Sequence, residues 1–194
     1  MKPSATSTTP TPGAEHGFTL IELLMTMVVA GILVGIAVPA FNNFVQNDRD
    51  STQINSLVYS FNYARSEAVK RNTPGGVTVC PSANAAAGAL ATCDPNPAAV
   101  WSEGWIVYDV ASAQALQSVP KLAGANVLSA LGLGATGITF KSSGGTATAG
   151  TTKIKICDPR GGAYALDVEV SPVGNIATSQ KPGQDAIGAA LACP

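Results

Sequence analysis

The apolar and polar positions divide the 194-residue chain into four segments. Residues 1–17 are rich in Pro, Ser and Thr, which predicts an unfolded N-terminal segment. Residues 18–41 form an almost unbroken apolar run, and residues 42–72 repeat apolar side chains at helical spacing. Residues 73–194 contain short alternating stretches typical of strands. The pattern predicts one long helix, apolar in its first half and amphipathic in its second, followed by a strand-rich domain.

The apolar run is long enough to cross a membrane. From Leu23 to Phe41 its only polar side chain is that of Thr26, and nineteen residues of helix span about 28 Å, close to the hydrocarbon thickness of a bilayer. A cleaved secretory signal peptide is the alternative, with the small residues at 37–40 as its cleavage site. The single Lys before the run and the length of the run disfavour that alternative.

A carboxylate, Glu22, stands at the start of this run, where burial in lipid is costly. Removal of residues 1–17 would make Phe18 the N-terminus and create an α-amine. Glu22 lies four residues further on, on the same side of a helix as that amine, and in the first turn, where the helix dipole favours a negative charge. Cleavage after Gly17 would therefore place a cation beside the carboxylate.

The amphipathic segment carries one apolar stripe, which predicts a helix packed against a sheet. A stop is expected where Asn72, Pro74 and Gly75 follow one another. The stripe consists of Ile54, Leu57, Val58, Phe61, Ala64 and Ala68.

In the strand-rich segment, Leu166, Val168 and Val170 alternate with charged residues, which indicates one buried and one solvated face. Trp101 and Trp105 are interpreted as core residues rather than as a platform for a ligand. Strands that follow one long helix predict an α+β fold in which an antiparallel sheet packs on that helix.

Composition narrows the possible functions. Charged residues make up only 12% of the chain, with 11 Lys and Arg against 12 Asp and Glu, which is unlike a strongly basic nucleic-acid-binding protein. The only histidine, His16, lies in the N-terminal segment. The one match to a dinucleotide-binding glycine pattern, residues 132–137, precedes a strand rather than a helix. No catalytic residue, metal site or cofactor is predicted.

The four cysteines, Cys80, Cys93, Cys157 and Cys193, predict disulfide bonds if the domain lies outside the cytoplasm. Three pairings are possible. The favoured one joins Cys80 to Cys93 across a short loop and Cys157 to Cys193, which would tie the C-terminal tail to a strand.

The letters GFTLIELL at residues 17–24 resemble the class III signal of type IV pilins and type II secretion pseudopilins. The resemblance implies that a prepilin peptidase cuts between Gly17 and Phe18 and methylates Phe18, and that Glu22 serves subunit assembly. It also implies that Gly31 and Pro39 weaken the helix. Gly31 and Gly35 form a GxxxG pair that favours close helix packing, although glycine is common in membrane helices generally.

Further stretches resemble the GspH/FimT family of minor pilins and cover nearly all of residues 18–194. They are YARSEAVKR, VTVCPS, WSEGWIVYDV, GITFKSSGG, KIKICDPRGG and ALDVEVSPVGNI. Residues 111–137 match weakly and are expected to form a variable loop region. The resemblance implies a type IV pilin-like α+β fold with residues 1–17 as leader, 18–41 as transmembrane half-helix, 42–72 as amphipathic half-helix and 73–194 as β domain.

The function implied by this resemblance is that of a non-catalytic subunit of a type IV pilus or of a type II secretion pseudopilus, which primes the filament or lies near its tip. It would be a single-pass inner-membrane protein with a periplasmic domain. The implied partners are other pilins or pseudopilins, the prepilin peptidase and the inner-membrane assembly machinery.

DNA uptake is the alternative function, because some FimT-like minor pilins bind DNA through paired arginines near the C-terminus. The corresponding residues 174–177, GNIA, contain no arginine. The cations left for DNA are Lys153, Lys155, Arg160 and Lys181, which stand among carboxylates and predict weak attraction to phosphate.

Overall fold

The computed structural model describes residues 17–72, 74–82, 84–95, 101–131 and 137–193. The chain divides into two units, Met1–Phe44 and Val45–Pro194. The predicted leader, residues 1–17, lies outside the described residues except for Gly17.

One helix, α1, runs from Leu20 to Arg71. Within the second unit its predicted apolar stripe is buried, with only Val58 partly exposed. The helix ends where the sequence predicts, because Asn72 adopts a left-handed backbone conformation, φ 48°, and its N–H closes the last turn on the Ala68 carbonyl.

The β domain contains two four-stranded antiparallel sheets rather than the single sheet that the sequence predicts. The first sheet has the order β3-β2-β1-β5 and the second the order β4-β6-β7-β8. The strands are β1 Val77–Pro81, β2 Gly104–Asp109, β3 Gln114–Pro120, β4 Val127–Leu131, β5 Ile138–Phe140, β6 Thr152–Cys157, β7 Leu166–Val170 and β8 Ile176–Thr178.

The expectation of a loop region over residues 111–137 is wrong for two stretches of it, which form β3 and β4. Residues 132–136 lie outside the described residues. β3 pairs with β2 along its length, and β4 pairs with β6 from Val127 to Leu131. Both are edge strands, and β3 is partly or fully exposed at every position. β3 buries little apolar surface, and three of its seven residues are polar Gln or Ser, so its sequence carries a weak hydrophobic signal.

The core of the domain lies between α1 and the two sheets. Leu57 and Phe61 of the helix pack with residues from both sheets. Trp101 and Trp105 are buried core residues, as the sequence predicts. The Trp105 indole N–H donates a hydrogen bond of 2.9 Å to the Ser60 hydroxyl, which fixes the helix against β2.

Candidate processing and assembly site

The residues around the predicted cleavage position form a capped helix start. Gly17 and Phe18 precede the helix, and Phe18 is 82% exposed. The Thr19 hydroxyl oxygen accepts a hydrogen bond of 3.3 Å from the Glu22 N–H, so Thr19 acts as the N-cap of α1. This cap holds Glu22 in the first helical turn, three residues after the cap.

Thr19 was missed by the sequence analysis, although its signal was present. Thr followed three residues later by Glu is the capping-box pattern, in which the Thr oxygen accepts from the N–H of the third helical residue. The pattern was interpreted only through Glu22 and its charge.

The apolar half of α1 is exposed along its whole length. All described residues from 17 to 44 are exposed, and an 18-residue window of the helix has a mean hydropathy of 2.5. By length and composition this helix can cross a membrane. The Thr26 hydroxyl donates to the Leu23 carbonyl at 2.8 Å, so the one polar side chain of the run is satisfied within the helix, as a bilayer requires.

The predicted helix-weakening residues do not interrupt this helix. Pro39 lies inside it, and added β-carbons at Gly31 and Gly35 would meet no atom within 4 Å. That open surface leaves room for another helix to approach closely. Weakening within a filament stays a prediction.

A buried polar cluster fixes the start of the domain part of the helix. The Arg160 guanidinium bonds Asp50 at 3.0 Å and Asn47 at 2.8 Å, and it also pairs with Asp158. The Asn126 amide donates to Asp50 at 2.7 Å. Burial raises the pKa of Asp50, which the Asn126 hydrogen bond and the Arg160 charge partly offset.

A second charged cluster joins the outer face of the second sheet to the C-terminal tail. Lys153 pairs with Glu169 across the strands and with Asp185 of the tail at 2.9 Å. The hydrogen bond from Lys153, together with hydrogen bonds from two backbone N–H groups, lowers the pKa of Asp185. The Lys155 ammonium donates to the Ala192 carbonyl. The tail therefore lies over this face.

Asp167 of β7 is buried under that tail with 0% of its surface exposed. The solvated face that the sequence predicts for this strand is therefore wrong at Asp167, because the C-terminal tail covers it. Among the described residues, none donates a well-aligned hydrogen bond to either carboxylate oxygen. Burial, reinforced by the negative charges of Glu169 and Asp185, raises the pKa of Asp167 to about 6. Lys153 acts in the opposite direction without cancelling the effect.

Two disulfide bonds close the domain. Cys80 is bonded to Cys93, thirteen residues away, and Cys157 to Cys193, thirty-six residues away. These are the two pairs that the sequence analysis favours. The second bond attaches the end of the tail to β6.

Comparison with known protein families identifies this architecture. The family model described as type II transport protein GspH matches residues 53–174. The chain belongs to the GspH family. A second model, the prokaryotic N-terminal methylation motif, matches residues 13–38, a range that includes Gly17, Phe18 and Glu22. The two matches together confirm the resemblance noted from the sequence.

Two solved structures share the fold of this GspH-family chain. Both are crystal structures of the type IV minor pilin FimU from Pseudomonas aeruginosa strain PAO1. The first has a TM-score of 0.53 at 19% sequence identity and covers 74% of this chain and 98% of FimU. The second has a TM-score of 0.51 at 19% identity and covers 70% and 98% of the respective chains. They confirm the type IV pilin fold, a long helix packed on antiparallel sheets.

Membership of the GspH family makes this chain a minor pilin or pseudopilin. The family implies assembly with other pilins and processing by a prepilin peptidase. The apolar helix and the methylation motif together indicate anchoring in the inner membrane through α1.

The structure leaves few of the four cations considered for DNA available in this GspH-family domain. Lys153, Lys155 and Arg160 are engaged by the tail, by carboxylates or by α1. Lys181 is exposed, but it lies alone on the tail, four residues before Asp185. The four residues do not form a basic patch, because three of them already pair within the domain.

Other site types have little support in the described part of the chain. Among those residues, no group of three or more His, Cys, Asp or Glu could hold a metal ion. The predicted glycine-rich loop at 132–137 and the leader histidine, His16, lie outside the described residues, except for Gly137.

Proposed function

We propose that this chain is a non-catalytic subunit of a type IV pilus or type II secretion pseudopilus, which primes the filament or lies near its tip. The capped, apolar start of α1 carries the proposal. Thr19 caps the helix, Glu22 stands in its first turn, and the run that follows is exposed and long enough for a bilayer. The likeness of the fold to a minor pilin supports a place outside the main filament body.

Processing would complete the assembly site. A prepilin peptidase would cut between Gly17 and Phe18 and methylate the new α-amine. The cap keeps Glu22 within the first turn, four residues after the nitrogen that would become this amine. The amine can then neutralise Glu22 of the same chain or of a neighbouring subunit, which removes the cost of an unpaired carboxylate in lipid.

The proposed topology is a single inner-membrane pass with the domain in the periplasm. Both disulfide bonds support it, because such bonds persist in oxidising compartments. DNA binding is not proposed as a second function, since most of its candidate cations are engaged within the domain.

Two pairs of variants test processing and assembly. Gly17→Trp should leave a precursor that is seventeen residues too long on a gel, whereas Gly17→Ala keeps a small residue and should still be cut. The Glu22→Val chain should be cleaved by the peptidase but should stay in the membrane and not enter filaments, because it has no carboxylate at position 22 to pair with the Phe18 α-amine. Glu22→Asp, which keeps the charge, should recover part of the filament signal. Normal incorporation of Glu22→Val would contradict the pairing.

A further inference from the structure

The last turns of α1 and the loop between β5 and β6 line a shallow, open groove of about 550 Å³, which we call the Arg65 groove. The groove lies wholly within the second unit. Its lining residues are Asn62, Arg65, Ser66, Val69, Lys70, Ser143 and Gly144. The family match and the proposed processing site leave this groove without a role.

Arg65 is held in the groove by a rigid backbone contact. Its Nε donates a hydrogen bond of 3.0 Å to the Gly144 carbonyl. Gly174 packs on the same carbonyl, and a β-carbon there would lie 2.0 Å from the Gly144 oxygen and 3.1 Å from the Arg65 Nε. Only glycine allows this approach, at φ +79°. The guanidinium is therefore positioned before any partner arrives.

The outer edge of the guanidinium has no partner within the described part of the chain. Among the described residues, none accepts a hydrogen bond from either Arg65 Nη. Asn62 and Ser66 donate to carbonyls of their own helix, and no carboxylate lines the groove. Two parallel N–H groups in a fixed plane are the geometry that binds a carboxylate.

The surroundings of the groove are positively charged. The Lys70 side chain is 77% exposed, and its one carboxylate contact, to Glu67, is 3.5 Å long. Lys141 is exposed in the same turn as Gly144. Near the end of α1 four cations stand against two carboxylates, which are already bound to Arg71. The cations are Arg65, Lys70, Arg71 and Lys141, and the carboxylates are Glu67 and Asp109.

Apolar surface beside the cations indicates a peptide rather than a free ion. Val69 is 50% exposed in the groove, and Val173 is 73% exposed in the turn that Gly174 packs against Gly144. A protein segment can cover such side chains while it delivers one carboxylate. A DNA duplex needs a longer track of cations, because a single phosphate contact adds little affinity.

We propose that the Arg65 groove binds an acidic segment of another filament subunit, with an Asp or Glu carboxylate on the outer edge of the Arg65 guanidinium. This proposal rests on the proposed function as a filament subunit. It adds a contact made by the β domain to the contacts made by the apolar half of α1.

Ser143 offers a matched test, because its exposed side chain lines the groove and makes none of the contacts that hold Arg65. Ser143→Glu places a repelling carboxylate there, and Ser143→Lys places a cation of similar length. Each full-length variant is expressed in a filament-forming strain that lacks its own copy, and the ratio of filament-bound to membrane-bound chain is measured. We expect Ser143→Glu to lower this ratio about tenfold or more, since two like charges in one contact repel each other. Ser143→Lys should stay within about twofold of the wild type.

Photo-crosslinking from position 66 identifies the partner. A photoreactive phenylalanine analogue replaces the exposed Ser66, and the support sought is a crosslink to a pilin-like subunit at a peptide that contains Asp or Glu. A crosslink to DNA, or to a subunit peptide without a carboxylate, would overturn the proposal. Arg65→Gln should weaken the supporting crosslink while peptidase cleavage and both disulfide bonds remain intact.

The outcomes separate the two proposals. If the wild-type chain never enters the filament fraction, the proposed function fails and the groove proposal fails with it. If the wild type enters and the Ser143→Glu and Ser143→Lys chains enter equally well, only the groove proposal fails.

Discussion

Asp167 gives the clearest test of the electrostatics of the domain. Its carboxyl group is fully buried and its pKa is raised to about 6 from 3.8. Below pH 3.8 the group is neutral in both the folded and the unfolded chain, and folding then carries no penalty. As the pH rises from 3.8 to 6 the unfolded chain releases the proton first, so the free energy of unfolding falls. The total loss is about 3 kcal/mol, at roughly 1.4 kcal/mol for each pH unit.

Asp167→Asn removes this penalty at neutral pH, whereas near pH 4 the buried group is uncharged in both the wild type and the variant. The cost of burying the new amide is the same at both pH values, so the difference between them isolates the carboxyl group. For the soluble fragment 45–194, we expect a gain in Tm at pH 8 relative to pH 4 of about 6–12 °C, at 2–4 °C per kcal/mol for a domain of this size.

The assay is thermal melting followed by circular dichroism, with both disulfide bonds intact. Glu103→Gln is the matched control, because Glu103 forms an exposed surface pair with Lys121 and should change stability by less than about 1 kcal/mol. Equal effects of Asp167→Asn at pH 4 and pH 8 would show that burial does not raise the pKa of this carboxyl group.

Two further predictions concern the cations of the domain. Arg160→Met should lower the free energy of unfolding of the same fragment in urea by about 3–5 kcal/mol, because it leaves the buried Asp50 without its cation; Arg160→Lys should lose less, and a loss below about 1 kcal/mol for the Met variant would contradict the role given to the cluster. In a gel shift at physiological salt, the fragment should form no complex with duplex DNA at low-micromolar concentration, since residues 45–194 hold ten Lys and Arg against ten Asp and Glu. A tight complex would contradict this.

The elements that follow from the periodic spacing of apolar residues were predictable from the sequence. The stripe from Ile54 to Ala68 has helical spacing, and the helix buries it. Leu166, Val168 and Val170 have the spacing of a strand, and β7 contains all three. In both elements the apolar side chains face one core, so local pattern and tertiary burial agree.

The number of sheets was not predictable in the same way. An alternating pattern shows which face of a strand is buried, but it does not show which strand lies beside it. β5 pairs with β1 and bridges to Thr146, whereas β4, the preceding strand, pairs with β6 of the other sheet. The change of sheet between β4 and β5 depends on long-range pairing, which no local pattern reports.

The partners of the cations show why the sequence alone does not identify which basic residues are available for binding. Arg160 was considered for DNA because it stands near other Lys residues in the chain. Its partner Asp50 lies 110 positions earlier, and no local pattern reports such a pair. Arg65, by contrast, donates its Nε N–H to the Gly144 carbonyl, and among the described residues neither of its Nη groups has a hydrogen-bond acceptor. Whether a cation is available to a partner depends on the carboxylates and carbonyls that the fold brings to it. In this domain most of the cations near the C-terminus pair with groups of the domain itself, whereas positive charge remains at the end of α1. A contact with another subunit is therefore better sought at the end of α1 than on the tail.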